Sequence, residues 1–344
     1  PLIRGATQTI KEHFTFDHPF LYAAHESPIY VAYASSFTDE DLTNSNRAAL
    51  DLLQGLSVHE FEFDYSMFDQ SQSTGPLRFE LDALRALGLP QHAVDILWKM
   101  FHTNPKAGRA DALRGLGERP LRATGGPETT PGNFLTNLKL ALFLQIKLFF
   151  FFTLAGDDTR LLIGAELPLD GAVIAAFISE AAAEVGFRVT GGEVPLGTGS
   201  FLKGLYYPTV HGRVWGPAPS RVLKLGKTLT DPRVTFDEPD LVEACRKHAT
   251  VVANSYGTML QVPIIRGYVR RWATGAWEPF GAYKVKASGM FSKYHLDEEA
   301  TMVMLAERYG TGAGWKALER RFMNSDVMTF HQHPLYQALR SKDY

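Results

Sequence analysis

The segment Leu148 to Ile163 reads LFFFFTLAGDDTRLLI, with two apolar stretches on either side of Gly156-Asp157-Asp158. Gly and Asp favour tight turns, so the pattern predicts two buried strands joined by a turn that presents two carboxylates. An earlier segment, Val58 to Tyr65, places acidic residues at every second position and predicts a third strand, with Asp64 near its end. If the strands are neighbours, Asp64 and Asp157 converge.

Converging carboxylates of this kind suit divalent cations. Mg²⁺ prefers oxygen ligands, and two such ions about 3.5–4 Å apart drive in-line phosphoryl transfer in many enzymes. A Gly-Asp-Asp tripeptide taken alone indicates only a turn. The chemical interpretation therefore depends on the second carboxylate strand that ends near Asp64.

The composition of the 344 residues is that of an ordinary globular protein, with 45% hydrophobic and 21% charged residues. The net charge of −2 means that an enzyme acting on nucleic acid would need its positive charge clustered. The single Cys245 excludes a disulfide framework and a multi-cysteine zinc site, and it suits a reducing compartment. Because the chain begins at Pro1 without a signal-peptide pattern, we expect it to be a piece of a longer protein.

The long apolar stretch from Leu138 to Ala155 is interrupted by Lys139, Gln145 and Lys147. We interpret it as a helix from near residue 131 to residue 147 followed by a buried strand from 148 to 154, and not as a membrane span. The sequence also predicts helices for residues 43–55, 77–103, 170–185 and most of the chain after 240. It predicts short strands for residues 187–189 and 201–207, and a hairpin for residues 221–228.

Three motifs then appear in a fixed order. Asp64-x4-Asp69, Thr124-Gly125-x3-Thr129-x3-Asn133 and Gly156-Asp157-Asp158 resemble motifs A, B and C of viral RNA-dependent RNA polymerases. The separations also fit, with 125 − 64 = 61 and 157 − 125 = 32 residues between the motifs. The runs 68–72 and 132–133 are most similar to the alphavirus-like group of positive-strand RNA viruses.

The resemblance implies an α+β right-hand polymerase fold: an antiparallel palm sheet backed by helices, a helical thumb and reduced or truncated fingers. Residues 1–57 are expected to be partial fingers, 58–235 the palm with a finger insertion at about 77–122, and 236–344 the thumb. The implied function is template-directed nucleotidyl transfer from ribonucleoside triphosphates in viral RNA replication and transcription.

The resemblance also implies roles for individual residues. Asp64, Asp157 and Asp158 would hold two Mg²⁺ or Mn²⁺ ions. Arg188 is the expected catalytic residue near the motif D position, where relatives usually have a Lys; arginine can stabilise charge but is a poor general acid because it stays protonated. Lys203 is the alternative candidate for this position. Recognition of the ribose and nucleotide is expected from Asp69, Thr129, Asn133 and Tyr65, and contact with template or primer from Arg122, Thr124, Gly125, Lys224 and Lys227.

The implied partners are template and product RNA, ribonucleoside triphosphates, and other replicase parts such as helicase, capping or further finger domains. We expect no transmembrane segment in the chain itself, and a location in the host-cell cytoplasm, within replication complexes that other replicase parts attach to membranes.

Two alternatives stay open at the level of sequence. A reverse transcriptase is the nearest enzyme, although the pairing of Asp69 with Asn133 argues against it, because a DNA-making site gains by excluding the 2′-hydroxyl. A non-catalytic RNA-binding or assembly fragment is the other, because only 63 residues precede Asp64 and no basic triphosphate-binding motif is recognisable there.

Overall fold

A computed structural model describes residues 2–17, 20–22, 28–66, 68, 73–102, 129–144, 148–223, 238–255, 257–274, 294–310, 315–324, 326, 337–339 and 341. The chain divides into two compact units: Pro1–Phe37 with Ala48–Val194, and Thr38–Arg47 with Pro195–Tyr344. The predicted start of a thumb at residue 236 therefore lies inside the second unit. The division into fingers, palm and thumb stays a prediction.

The first unit is built on a sheet of six described strands: β1 Phe20–Tyr22, β2 Ile29–Tyr33, β3 Ser57–Tyr65, β4 Phe149–Ala155, β5 Asp158–Ala165 and β6 Val189–Val194. Their order across the sheet is β1-β2-β4-β5-β3-β6. The prediction of an antiparallel sheet is corrected at one place, because β2 and β4 pair in parallel. The long connection between these two strands, which includes helices, permits the parallel arrangement.

The described helices between residues 1 and 194 are α1 Leu2–His13, α2 Asp39–Leu52, α3 Thr74–Ala86, α4 Gln91–His102, α5 Thr129–Phe143 and α6 Gly171–Glu184. The periodic stretch 77–103 forms two helices, because Gly88 adopts a φ of 95° after α3 and Pro90 precedes α4. Helix α6 confirms the predicted helix at 170–185, and Asp170 caps it by accepting from the backbone N–H groups of Ala172 and Val173.

The core of the first unit follows the period-two pattern of β3. Phe61, Phe63 and Tyr65 are buried on one face, together with the aromatic residues of β4 and apolar residues of β5 and α5. Helix α5 ends at Phe143 instead of continuing to residue 147, and β4 begins at Phe149. Within the described ranges, no helix has the length and apolar character needed to cross a membrane. The first unit is thus a mixed sheet whose core face is packed with helices.

The second unit contains the hairpin of β7 Gly204–Thr209 and β8 Gly212–Pro217. Its helices are α7 Pro219–Val222, α8 Glu238–Ser255, α9 Pro263–Trp272, α10 Glu298–Tyr309 and α11 Trp315–Met323, with a 3₁₀ helix at Gly257–Gln261. The predicted hairpin at 221–228 is wrong at its start, because Arg221 lies in α7, where Pro219 suits the first helical turn. The helical character predicted after residue 240 is confirmed for the described residues.

Candidate active site

The Gly156-Asp157 turn is the two-residue loop of the β4–β5 hairpin, since Ala155 pairs with Asp158. Gly156 has a φ of 69°, a conformation that favours glycine at the first position of a tight hairpin loop. Asp157 and Asp158 are both exposed. The predicted turn is confirmed, and it presents two carboxylates at one end of the sheet.

Asp64 lies at the same end of the sheet. Strands β3 and β5 are antiparallel neighbours in which Phe63 pairs with Thr159, so Asp64 and Asp158 are the next residues toward the hairpin turn. Opposed residues of an antiparallel pair project from the same face, and Asp64, like Asp158, is exposed. The hypothesis that the two acidic strands are neighbours is confirmed.

The first turn of α5 packs beside the hairpin loop. A Cβ atom placed on Gly156 would lie 3.9 Å from Cβ of Asn133 and 4.0 Å from Cγ2 of Thr130. Asn133 is buried at 3% exposure, and Thr129 is half-buried. The structure therefore brings the described part of the second motif against the third.

Tyr65 points to the opposite face from Asp64, into the core. Its hydroxyl donates to Oδ1 of Asn137 at 2.6 Å, and Nδ2 of Asn137 donates to Oγ1 of Thr159 at 2.6 Å. Burial raises the pKa of Tyr65; the hydrogen bond with Thr159 opposes the rise, and the charge of nearby Asp157 adds to it. The predicted nucleotide contact of Tyr65 stays untested, whereas its position beneath the acidic residues is clear.

Asn137 and Thr159 are site residues that were not predicted from the sequence. Asn137 follows Asn133 by one helical turn, and that spacing on one helix face is the signal that could have identified it. Thr159 carried no such signal, because its partner lies on a helix distant in sequence.

Arg188 lies at the same end of the sheet, beside the other edge of β3. Its carbonyl oxygen accepts from the backbone N–H of Ser66 at 2.9 Å, and the next pair along is Tyr65 with Val189. The side chain is exposed. The structure therefore places Arg188 near the end of the strand that carries Asp64.

A cavity of about 740 Å³ in the first unit is lined by residues of α1, the end of β2, α4 and the start of α5. Arg4 and Lys11 of α1 contribute cationic groups, and Thr130 contributes a hydroxyl. Thr130 also packs beside the Gly156 turn, with its Cγ2 4.0 Å from a Cβ placed on Gly156. The two basic residues, which match no motif in the sequence, thus border a cavity next to the acidic turn.

The described residues contain no group of three or more His, Cys, Asp or Glu side chains arranged to hold a metal ion. The oxygen donors of Asp64, Asp157 and Asp158 nevertheless match the chemistry that Mg²⁺ requires, and their exposure leaves them open to an ion and its water ligands. The predicted site residues that lie outside the described part of the chain are Asp69, Arg122, Thr124, Gly125, Lys224 and Lys227.

Comparison with known proteins gives a family match over part of the chain. Residues 29–177 match the model of a family described as RNA dependent RNA polymerase. The matched stretch runs from β2 into α6 and includes Asp64, Asn133 and the Gly156-Asp157 turn. A comparison with curated proteins found no match. Over these residues, the match supports a viral RNA-dependent RNA polymerase, a family whose substrates are RNA and nucleoside triphosphates, and the mixed α+β structure is compatible with such a fold.

Proposed function

We propose that the chain is the catalytic core of an RNA-dependent RNA polymerase that extends RNA by two-metal nucleotidyl transfer. One observation carries the proposal. The end of β3 with Asp64, the Gly156-Asp157 turn and the first turn of α5 with Asn133 meet at one end of a single sheet. These parts are far apart in sequence, and each carries residues of one of the three motifs. The fold therefore places described residues of all three motifs close together.

In the proposed reaction, the 3′-oxygen of the growing strand forms a bond to the α-phosphorus of the incoming nucleotide. The bond from that phosphorus to the bridging oxygen breaks, pyrophosphate leaves, and the hydroxyl proton passes to solvent. Two bound Mg²⁺ or Mn²⁺ ions would supply activation of the hydroxyl and neutralisation of the triphosphate charge. Asp64 and Asp157 would hold these ions, and Asp158 would support them.

We assign recognition of the ribose to Asn133, with Thr129 and Asp69. A site that hydrogen-bonds a hydroxyl rejects a substrate lacking it, because the polar groups of the site are then left without a partner. The support is the position of Asn133, buried against the turn that carries Asp157. This assignment favours RNA synthesis over reverse transcription.

Positive charge near the triphosphate would come from Arg188 on one side and from Arg4 and Lys11 on the other. Arginine is a poor proton donor in proteins, so we assign Arg188 stabilisation of the pyrophosphate charge and not proton donation. Arg4 and Lys11 line the cavity that includes Thr130. Their cationic groups suit the phosphates of a nucleotide or an RNA strand.

The narrower assignments are also proposals. Similarity of the runs 68–72 and 132–133 to the alphavirus-like group supports a positive-strand RNA virus as the source. Other replicase parts, such as helicase or capping domains, would then be the partners. The expected location is the host-cell cytoplasm, in membrane-associated complexes.

The proposal is tested by primer extension with Asp157→Asn. The substitution removes one anionic oxygen and keeps the shape of the side chain, so extension on a primed RNA template should fall by at least about 10²-fold. Glu166→Gln is the matched control, because Glu166 is an exposed carboxylate just beyond the opposite end of the same strand β5. Its activity should equal that of the unaltered chain.

Extension by Asp157→Asn at the control rate would contradict the metal-ligand assignment. An unaltered chain that binds RNA tightly but extends no primer, alone or in a longer form of the protein, would favour the non-catalytic RNA-binding alternative.

A further inference from the structure

The side chain of Asn137 connects the two acidic elements of the proposed site from behind. Its Oδ1 accepts from the hydroxyl of Tyr65, the residue after Asp64. Its Nδ2 donates to Oγ1 of Thr159 at 2.6 Å and to the carbonyl oxygen of Gly156 at 3.4 Å. One amide on α5 therefore touches the end of β3 and both sides of the hairpin turn.

The Gly156 carbonyl group at one end of the network determines which atoms of Asn137 donate and which accept. The Gly156 carbonyl is only an acceptor, so it must face the NH₂ group of Asn137, which leaves Oδ1 for the Tyr65 hydroxyl. The Thr159 hydroxyl accepts from Asn137, lies 3.5 Å from the carbonyl oxygen of Asp157 and also interacts with the Tyr65 hydroxyl. The network thus joins the residue after Asp64 to the backbone of Asp157.

Burial makes this hydrogen-bond network stiff, and breaking it costs free energy. Tyr65, Asn137 and Thr159 are 7%, 2% and 8% exposed. A buried polar group without its partner is expensive, and linked hydrogen bonds in a low-dielectric interior strengthen one another. The surrounding core is apolar, and three apolar side chains of the same shape would pack there without any need for a polar network.

We propose that Asn137 is a positioning residue of the polymerase site, which sets the place of the Asp157 turn relative to Asp64 through Tyr65 and Thr159. Because Asn137 is buried, it would act without contact with the nucleotide or the ions. It acts by holding two backbone segments at one separation, so that the carboxylates of Asp64 and Asp157 can serve the same pair of ions. This inference rests on the proposed function.

The substitutions that test it delete polar atoms and keep volume. Tyr65→Phe removes only the hydroxyl and leaves the ring packed on Phe68, with centroids 4.5 Å apart. Thr159→Val removes the hydroxyl that faces Asp157. Asn137→Leu removes the amide. Thr136→Val is the matched control, because this neighbouring threonine of α5 is fully buried and its hydroxyl has no hydrogen-bond partner among the described residues.

Two measurements are made on the full chain: single-turnover nucleotide incorporation over a range of Mg²⁺ concentrations, and amide hydrogen exchange of the hairpin residues 155–159. Tyr65→Phe and Thr159→Val should each lower the incorporation rate about 10- to 100-fold, since small misplacements of reacting groups have effects of that size. They should raise the Mg²⁺ requirement, leave the nucleotide KM within about twofold, and speed exchange in the hairpin. Thr136→Val should change none of these.

The triple variant Tyr65→Phe/Asn137→Leu/Thr159→Val separates positioning from stability. It leaves no side chain of the network without a partner, so its thermal midpoint should approach that of the unaltered chain, while its incorporation rate stays as low as that of Tyr65→Phe. Recovery of the rate together with the stability would overturn the inference, and so would control-like rates and exchange in the single variants. An unaltered chain that incorporates nothing, but whose hairpin exchange still depends on Asn137, would refute the proposed function alone.

Discussion

Nε of Arg160 donates to Oε1 of Glu60 at 2.8 Å in the interior of the first unit, where the two side chains are 3% and 0% exposed. Glu60 lies on β3 and Arg160 on β5, the strands that carry Asp64 and Asp158. All four side chains belong to the same face by the period of two. A buried ion pair thus joins the two acidic strands within a few residues of their ends.

Arg160→Met should destabilise the first unit by about 3–5 kcal/mol, because it leaves the Glu60 carboxylate buried without its cationic partner. The double variant Glu60→Leu/Arg160→Met should be close to the unaltered chain in its free energy of unfolding, since the buried charge is removed as well. Urea denaturation measures both. If Arg160→Met were as stable as the double variant, the Glu60 carboxylate would not depend on Arg160 for its burial.

Adjacent glycines of β6 provide a second test. A Cβ on Gly191 would collide with the backbone oxygen of Glu62, and Gly191 has a φ of 143°, whereas a Cβ on Gly192 would meet nothing within 4 Å. Gly191→Ala should therefore cost about 3 kcal/mol or more and loosen the pairing of β6 with β3. Gly192→Ala should change stability by about 0.5 kcal/mol or less. Thermal unfolding of the two variants side by side decides, and equal midpoints would contradict the close approach of β6 to β3.

Asp39 at the start of α2 should make stability pH-dependent. Burial raises the pKa of its carboxyl to about 6, against the opposing influence of Arg221. Because the folded pKa lies above the unfolded one, the contribution is full below about pH 4 and is lost as the pH rises through about 6. The side chain is partly exposed, so the change is reduced by solvent screening to about 1 kcal/mol.

Asp39→Asn should remove this contribution. Urea denaturation at several pH values between 4 and 7 would show a smaller fall of the unfolding free energy in the variant than in the unaltered chain. Parallel curves for the two proteins would contradict the raised pKa.

Asn133→Ala should reduce the preference for ribonucleotides over deoxynucleotides by about 10-fold or more, because the 2′-hydroxyl loses its amide partner. The measurement is the ratio of kcat/KM for the two nucleotides on one primed RNA template. Thr136→Val, on the same helix, should keep the original ratio. An unchanged ratio in Asn133→Ala would remove this residue from ribose recognition, and a deoxy preference in the unaltered chain would favour a reverse transcriptase.

Substitution of the basic cavity residues should affect binding more than turnover. Arg4→Gln with Lys11→Gln should raise the nucleotide KM about 10-fold at low salt, with a smaller difference at high salt, because the lost interaction is electrostatic. Lys99→Gln removes an exposed cation of α4 that does not line the cavity and serves as the control. Equal KM values in the three proteins would show that the cavity does not contact the triphosphate.

Much of the local structure could be predicted because it depends on neighbouring residues. The alternation of Val58 to Tyr65 predicted β3 and the faces of Asp64 and Tyr65, since a strand has a period of two. The Gly156-Asp157-Asp158 run predicted the hairpin turn, because Gly and Asp favour tight turns, and glycine adopts the observed φ of 69° without steric cost. The break between α3 and α4 was missed although Gly88 and Pro90 indicate it.

Local pattern was thus sufficient for β3, the hairpin of the acidic turn and most of the helices, whereas the hairpin predicted at 221–228 was wrong at its start. The parallel pairing of β2 with β4, the Glu60–Arg160 ion pair and the hydrogen bonds of Asn137 required the folded chain. Each joins residues that are far apart in sequence, and their partners are chosen by how the whole core packs and by which buried polar groups must be satisfied. No propensity of a single segment contains that information. The acidic turn is therefore readable in the sequence, whereas the network beneath it appears only when β3, the hairpin and α5 meet.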